Sequence, residues 1–228
     1  MMLDCLAFHA LHTLQLAVNE GLLAQRSVAD AVAVGRKVVG HFKHSTLSYS
    51  RLEDIQLQLN QPIKRLQQDV KTRWNSTFCT LQSLTEQKRA LGIFGSEHEL
   101  PDSLGLNQWN LLEKPVTILT PFEELTRQVS SSDASASDVI PAITVLQRLL
   151  SKEADEEPGI NTMKRTLLTA VQKRFADVEQ IQLFSTATLL DPRYKDRFFS
   201  SSSTAENAKE KVMQELQKIS GRDRPTGE

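Results

Sequence analysis

Apolar residues recur along most of this chain at intervals of three and four, which is the spacing of one helix face. Leu11, Leu14, Val18 and Leu22 mark a first helix whose end Gly21 is placed to fray. Ser27 reads as the N-cap of a second, with Val28, Val32, Gly35, Val38, Val39 and Phe42 as its buried stripe. Gly35 in that stripe would admit a neighbouring helix closely. Leu52, Ile55 and Leu59 predict a third helix, halted by Pro62. After a break around 71–73, Asn75 or Ser76 is placed to cap a helix carrying Phe78, Leu81, Leu84 and Leu91, ended by Gly92 and Gly95. Residues 97–105 predict a loop containing Pro101.

Trp109, Leu112, Val116, Leu119 and Phe122 continue the helical spacing, but Pro115 and Pro121 predict one or two kinks or breaks there. Residues 130–138 form a polar connector, and Val139, Ile143, Leu146 and Leu150 a further helix with Pro141 in its first turn. The acidic run 153–157 leads to Pro158-Gly159, read as a loop. Met163, Leu167, Ala170, Val171 and Phe175 mark the next helix. Residues 181–190 are the one strand-like stretch, equally compatible with a helix. Asp191-Pro192 reads as a helix N-cap followed by proline at the first helical position, opening a short turn with Tyr194 and Phe198. A linker at 200–204, a helix with Val212, Leu216 and Ile219, and a disordered tail at 221–228 complete the chain. The fold class is all-α, a multi-helix bundle.

Composition narrows the function classes. The chain has 228 residues, a formal net charge of −1 and only 9 Gly and 8 Pro. Near-neutrality removes any general pull on phosphate, so nucleic-acid binding must come from a local patch. Cys5 and Cys79 are too few and too far apart for a disulfide scaffold. No signal peptide is recognisable and no apolar run approaches the roughly 18 residues of a membrane helix. No membrane partner and no small-molecule substrate are expected, and a cytosolic or nuclear setting fits.

Four constellations bear on function. Cys5, His9 and His12 lie at i, i+4 and i+7, one helix face that a zinc ion would need, but no fourth ligand accompanies them. They read as structural, and no metal or cofactor is expected. Lys64, Arg65, Lys71 and Arg73 gather beside Trp74 against a single acid, Asp69. Cations neutralise phosphates and an indole stacks on bases, so this pairing suits nucleic acid; its alternative is a solvated helix end beside a core tryptophan. No nucleophile elbow, phosphate-cradling glycine loop or paired-histidine motif is present, and Asp191 is explained as a cap. The amphipathic stretch 205–219 either packs on the bundle or offers a stripe to a partner.

Three segments together bring a resemblance. Residues 9–22 (HALHTLQLAVNEGL), 69–78 (DVKTRWNSTF) and 189–195 (LLDPRYK), with 121–126 (PFEELT) between them, resemble in order and spacing the hAT-superfamily transposases. Within that superfamily they are similar to the transposase-derived zinc finger BED domain-containing proteins. The resemblance implies that the chain is the helical insertion of an RNase H-like core, with residues 1–26 bordering that core and 27–199 forming the insertion. It implies that the three catalytic acids and the BED finger fall outside residues 1–228, so no enzyme activity is expected. The family's usual Cys-x-x-His is here His9/His12. The tryptophan matching Trp74 is associated in active relatives with stacking on a displaced base. The expected nucleic-acid-binding residues are Lys71, Arg73, Trp74 and Asn75. The expected function is a catalytically inactive, nuclear, transcription-related protein that meets DNA weakly or only in a longer context. A protein-interaction module, homodimeric or with another partner, and a truncated remnant without function are the alternatives.

Overall fold

The computed structural model describes residues 2–22, 24–70, 74–102, 104–131, 135–152 and 158–222, with side chains from residue 11 to residue 220 except 158 and 159. Among the described residues there are ten α-helices and no strand: α1 (Met2–Leu22), α2 (Arg26–His44), α3 (Thr46–Gln58), α4 (Trp74–Glu86), α5 (Lys88–Glu97), α6 (Leu106–Val129), α7 (Val139–Ser151), α8 (Pro158–Arg174), α9 (Gln182–Leu190) and α10 (Ser202–Arg222). Short 3-10 turns at Ala136–Asp138 and Val178–Gln180 precede α7 and α9. The all-α expectation holds, and the ambiguous stretch 181–190 is helical. The chain divides into two compact units.

The first unit contains α2 to α5 with the flanking parts of α1, α6 and α8. Its core is aromatic as well as aliphatic: Phe42 meets Phe94 edge to face at 4.8 Å, among buried Leu52, Leu81, Leu84 and Leu112. Gly35 does what its place in the α2 stripe predicts. A Cβ there would stand 2.8 Å from Leu84 Cδ1 of α4, so the missing side chain lets the two helices close. Gly21 has the same role, since a Cβ would meet Leu167 Cδ2 at 2.4 Å and Leu167 Cα at 3.2 Å. It sits inside α1, one residue before the helix ends.

Several boundaries differ from the sequence expectation. α2 starts at Arg26, and its N-cap is Gln25 with no side-chain hydrogen bond, not Ser27. α3 ends at Gln58, before Pro62, as Asn60 turns into the left-handed region at φ 52°. Gly92 and Gly95 lie inside α5; the break falls at Gln87, whose side-chain oxygen is held by Gln56 of α3. α6 runs unbroken through Pro115 and Pro121. Each internal proline costs about 3 kcal/mol, but Trp109, Leu112, Leu119, Phe122 and Leu125 are all buried along the helix. At roughly 1.5–3 kcal/mol per buried side chain, packing wins. Pro158-Gly159 opens α8 instead of forming a loop, with proline at the first helical position.

The second unit holds α7, α9 and α10 with the remaining parts of α1, α6 and α8. Val139, Ile140, Ile143, Leu146 and Leu150 of α7 supply much of its core, joined by Phe175 and Phe184. α10 begins at Ser202, inside the stretch expected to be a linker, because the Ser201 hydroxyl accepts the Thr204 N–H at 3.1 Å. It docks through Ala205 and Ala208, whereas Met213, Leu216 and Ile219 further along are 56, 54 and 59% exposed.

Candidate nucleic-acid interface

Between α3 and α4 the chain runs from residue 61 to 70 without regular secondary structure. Such a segment cannot satisfy its own backbone, and side chains of the flanking helices do so instead. The Gln56 amide, 1% exposed, spans Lys64: its nitrogen donates to the Lys64 carbonyl at 3.0 Å, and its oxygen accepts the Lys64 N–H at 3.3 Å. The Tyr49 hydroxyl accepts the Leu66 N–H at 2.7 Å, and the Ser83 hydroxyl accepts the Gln67 N–H at 3.0 Å. The Ser76 hydroxyl accepts the Val70 N–H. Four helix side chains thus hold the strand-like segment in place.

The end of the segment is anchored by charge. Asp69, its side chain 4% exposed, accepts from Arg36 Nε of α2. It also accepts from the Ser76 hydroxyl at 3.1 Å and the Thr77 hydroxyl at 2.9 Å. Arg36 Nη2 reaches the same Thr77 hydroxyl at 3.4 Å. The serine and threonine of the WNST stretch therefore fold back on an acid seven and eight residues earlier. In the sequence Asp69 registered only as the charge opposing the basic cluster. Nothing local marks it as an anchor, because its main partner is 33 residues away.

The expected contact residues divide. Lys71 and Arg73 lie outside the described residues. Trp74 is the first residue of α4 and only 3% exposed, with its ring edge to face on Phe78 at 6.2 Å. Base stacking needs an open π-face, and Trp74 offers none in this fold; it is a core residue beside the basic segment. Asn75 is half-buried, and its Oδ1 is buried with no hydrogen-bond partner among the described residues. Of the other cluster members, Lys64 is paired with Glu86 at 3.0 Å, and Arg65 lies over the Tyr49 ring at 5.2 Å. The Tyr49 hydroxyl is raised above its ordinary pKa, chiefly by burial.

The LLDPRYK stretch forms a second lock, in the other unit. Asp191 is the C-cap of α9, not the N-cap of a following helix: residues 192–198 form turns, which Asp191 heads. Its carboxylate accepts from the Arg193 backbone N–H at 2.9 Å, from Arg193 Nη2 at 2.7 Å and from the Ser137 hydroxyl at 2.7 Å. The Arg193 and Ser137 hydrogen bonds hold its pKa well below the usual carboxylate range and that of Arg193 above its own. Arg193 Nη2 and the Tyr194 hydroxyl both donate to Asp138 Oδ1, at 3.0 and 2.7 Å. Burial first, and the Asp138 bond second, push Tyr194 up to about 12. Asp138 also closes a capping box with Ser135. The motif pins the turn after α9 to the turn before α7.

Cys5 and His9 lie outside the residues whose side chains are described, and His12 is exposed. Among the described residues no group of three or more His, Cys, Asp or Glu side chains stands placed to hold a metal ion, and no helix is long and apolar enough to cross a membrane.

Comparison with known proteins places these features. Residues 4–118 match the family model described as ZBED1 RNase-like helical domain. Zinc finger BED domain-containing protein 4 of Homo sapiens is 32% identical over 206 residues, 90% of this chain and 18% of that protein. Zinc finger BED domain-containing protein 6 of Homo sapiens is 29% identical over 220 residues, again 90% of this chain and 22% of that protein. The putative transcriptional regulator tpeD of Talaromyces stipitatus is 26% identical over 139 residues, 59% of this chain and 15% of that protein. The chain spans about a fifth of the length of the curated relatives it matches.

Proposed function

Because the chain belongs to the zinc finger BED domain-containing family of hAT-transposase-derived proteins, we propose that it is the non-catalytic helical part of a nuclear, DNA-associated transcriptional regulator. In this reading its own contribution is a scaffold that presents a short basic segment, Lys71 to Asn75, to nucleic acid. One observation carries it. The segment leading into these residues has its backbone held by Tyr49, Gln56, Ser76 and Ser83, and its last acid is held by Arg36. An anchored segment immediately before the cations supports the reading, because less entropy is lost when phosphate is met beside an ordered backbone. Trp74 serves by anchoring the start of α4 in the core, while Lys71, Arg73 and Asn75 make the contacts.

The non-catalytic part of the reading is supported by how the acids are used. Asp69 and Asp191, which lie in the motif segments, are each taken up by structural partners, Arg36 with two hydroxyls and Arg193 with Ser137. Fluorescence anisotropy with labelled single-stranded and hairpin DNA tests the whole. Salt-sensitive binding that weakens in Arg73→Ala is expected; equal binding by wild type and variant would sink the proposal.

A second reading, protein contact through α10, is favoured by the exposed Met213, Leu216 and Ile219 at three-residue spacing. Sedimentation velocity over a concentration series tests it in the form of a homodimer. Self-association abolished by Leu216→Glu is the expected result, and a monomer at every concentration would remove it.

A further inference from the structure

The corner between α2 and α3 and the extended segment enclose an open cleft of about 400 Å³. Its floor is apolar, formed by Phe42 and Leu66, and Tyr49 makes one wall with the Arg65 guanidinium over its ring. Lys43 and Glu53 also line it. The volume is within the range of small-ligand sites.

The charges of the cleft point to its occupant. In this unit Arg36, Lys37, Lys64 and Lys88 have a carboxylate within ion-pair distance, whereas among the described residues Arg51, Arg89 and Lys114 do not. Lys43 and Arg65 do not either, among the described residues: Lys43 meets the neutral Gln68 amide and Arg65 the neutral Tyr49 ring. Two cations outside ion-pair distance of a carboxylate, against the single acid Glu53, leave the concave site net positive, which favours an anion. An apolar floor and an aromatic wall beside them call for a flat, hydrophobic portion on the same ligand, and Glu53 for an N–H donor. Phosphate joined to an amino-bearing base has all three properties. An acidic peptide would meet the cations but bring a like charge to Glu53 and leave the aromatic wall unused.

We propose that this cleft seats one nucleotide of a single strand, its phosphate between Lys43 and Arg65 and its base against Tyr49 and the apolar floor. The segment that forms one side of the cleft leads in sequence to Lys71 and Arg73. The proposal rests on the nucleic-acid reading above for its class of ligand and adds where a base is held.

The test uses the full chain, fluorescein-labelled (dC)12 and unlabelled dCMP as competitor. A Lys43→Gln/Arg65→Gln variant removes the cations, and Ser50→Trp, at an exposed lining position, fills the cleft. Arg26→Gln is the control, a 95% exposed cation at the opposite end of α2. Loss of a stacked, phosphate-bound nucleotide should weaken (dC)12 binding by about tenfold or more in both cleft variants, with Arg26→Gln within about twofold of wild type. Circular dichroism confirms that each variant is folded. Cleft variants that bind like wild type, while Lys71→Gln/Arg73→Gln binds weakly, would overturn the cleft and leave the broader reading standing. Absence of (dC)12 binding by wild type would overturn both. Displacement by dCMP as efficient as by unlabelled (dC)12 would overturn the strand as the source of the nucleotide.

Discussion

Replacing Asp69 by alanine tests the anchor on which the presented segment depends. The carboxylate is 4% exposed and Arg36 is 25% exposed, so the pair is largely withdrawn from water. Asp69→Ala leaves a three-quarters-buried guanidinium whose remaining hydrogen bond among the described residues is to the Thr77 hydroxyl at 3.4 Å. It also leaves the Thr77 hydroxyl, on a residue 5% exposed, without its acceptor. Removing one member of a buried ion pair costs about 3–5 kcal/mol. Water reaching Arg36 places the loss near the lower end, about 3 kcal/mol. At about 2–4 °C per kcal/mol for a chain of this length, Tm should fall by about 6–12 °C. Asp69→Asn keeps an acceptor for Ser76 and Thr77 but not the charge, so its loss should be smaller, about 1.5–3 kcal/mol. Urea unfolding followed by circular dichroism at 222 nm gives both values, and a cycle with Arg36→Met isolates the coupling. An Asp69→Ala variant within about 0.5 kcal/mol of wild type, or a coupling near zero, would refute the anchoring argument.

Three further outcomes follow from the same geometry. Gly21→Ala should destabilise the chain, because overpacking against Leu167, at about 1–3 kcal/mol, outweighs the gain in helix propensity; Gly40→Ala and Gly92→Ala, whose added Cβ meets nothing within 4 Å, should stabilise by about 0.5–1 kcal/mol in the same denaturation assay. Asp191 is depressed in the fold, so its contribution is present above the unfolded carboxylate pKa, about 3.9, and is lost as pH falls through the folded value. Arg193→Gln should return that carboxyl toward its ordinary range, read by carbon-13 titration of the side chain. Tyr194 has the opposite sense: its folded form keeps the proton up to about 12, so stability is intact below the unfolded value near 10 and falls between the two. Tyr194→Phe should flatten that alkaline decline, and unchanged pH dependence would contradict the assignment.

The helical class, the α2 stripe with Gly35 and a turn after Asp191 were legible in spacing and residue type, because they rest on contacts within a few residues or on one periodic face, although Asp191 caps the end of α9 and not the start of a helix. The misplaced boundaries share a different cause. Gly92 and Gly95 read as stops by propensity, but the break at Gln87 coincides with a hydrogen bond from Gln56, 31 residues away. Pro115 and Pro121 read as breaks, and burial along α6 overrides them. Asp69 and Trp74 illustrate the same limit at the candidate site. A carboxylate among cations looks like a counter-charge and a tryptophan among cations looks like a stacking platform. Only the tertiary structure makes one an anchor, held by Arg36 of α2, and the other a buried core residue.

The salt dependence of single-strand binding tests the central claim most directly. The logarithm of the association constant for labelled single-stranded DNA is measured against the logarithm of salt concentration for wild type and for Lys71→Gln/Arg73→Gln. Each phosphate contact on a single strand contributes a slope of about 0.7. If these two cations meet phosphates, the slope should fall in magnitude by about 1.4 in the double variant, with affinity reduced at low salt. Equal slopes and equal affinities would show that the basic segment does not touch nucleic acid.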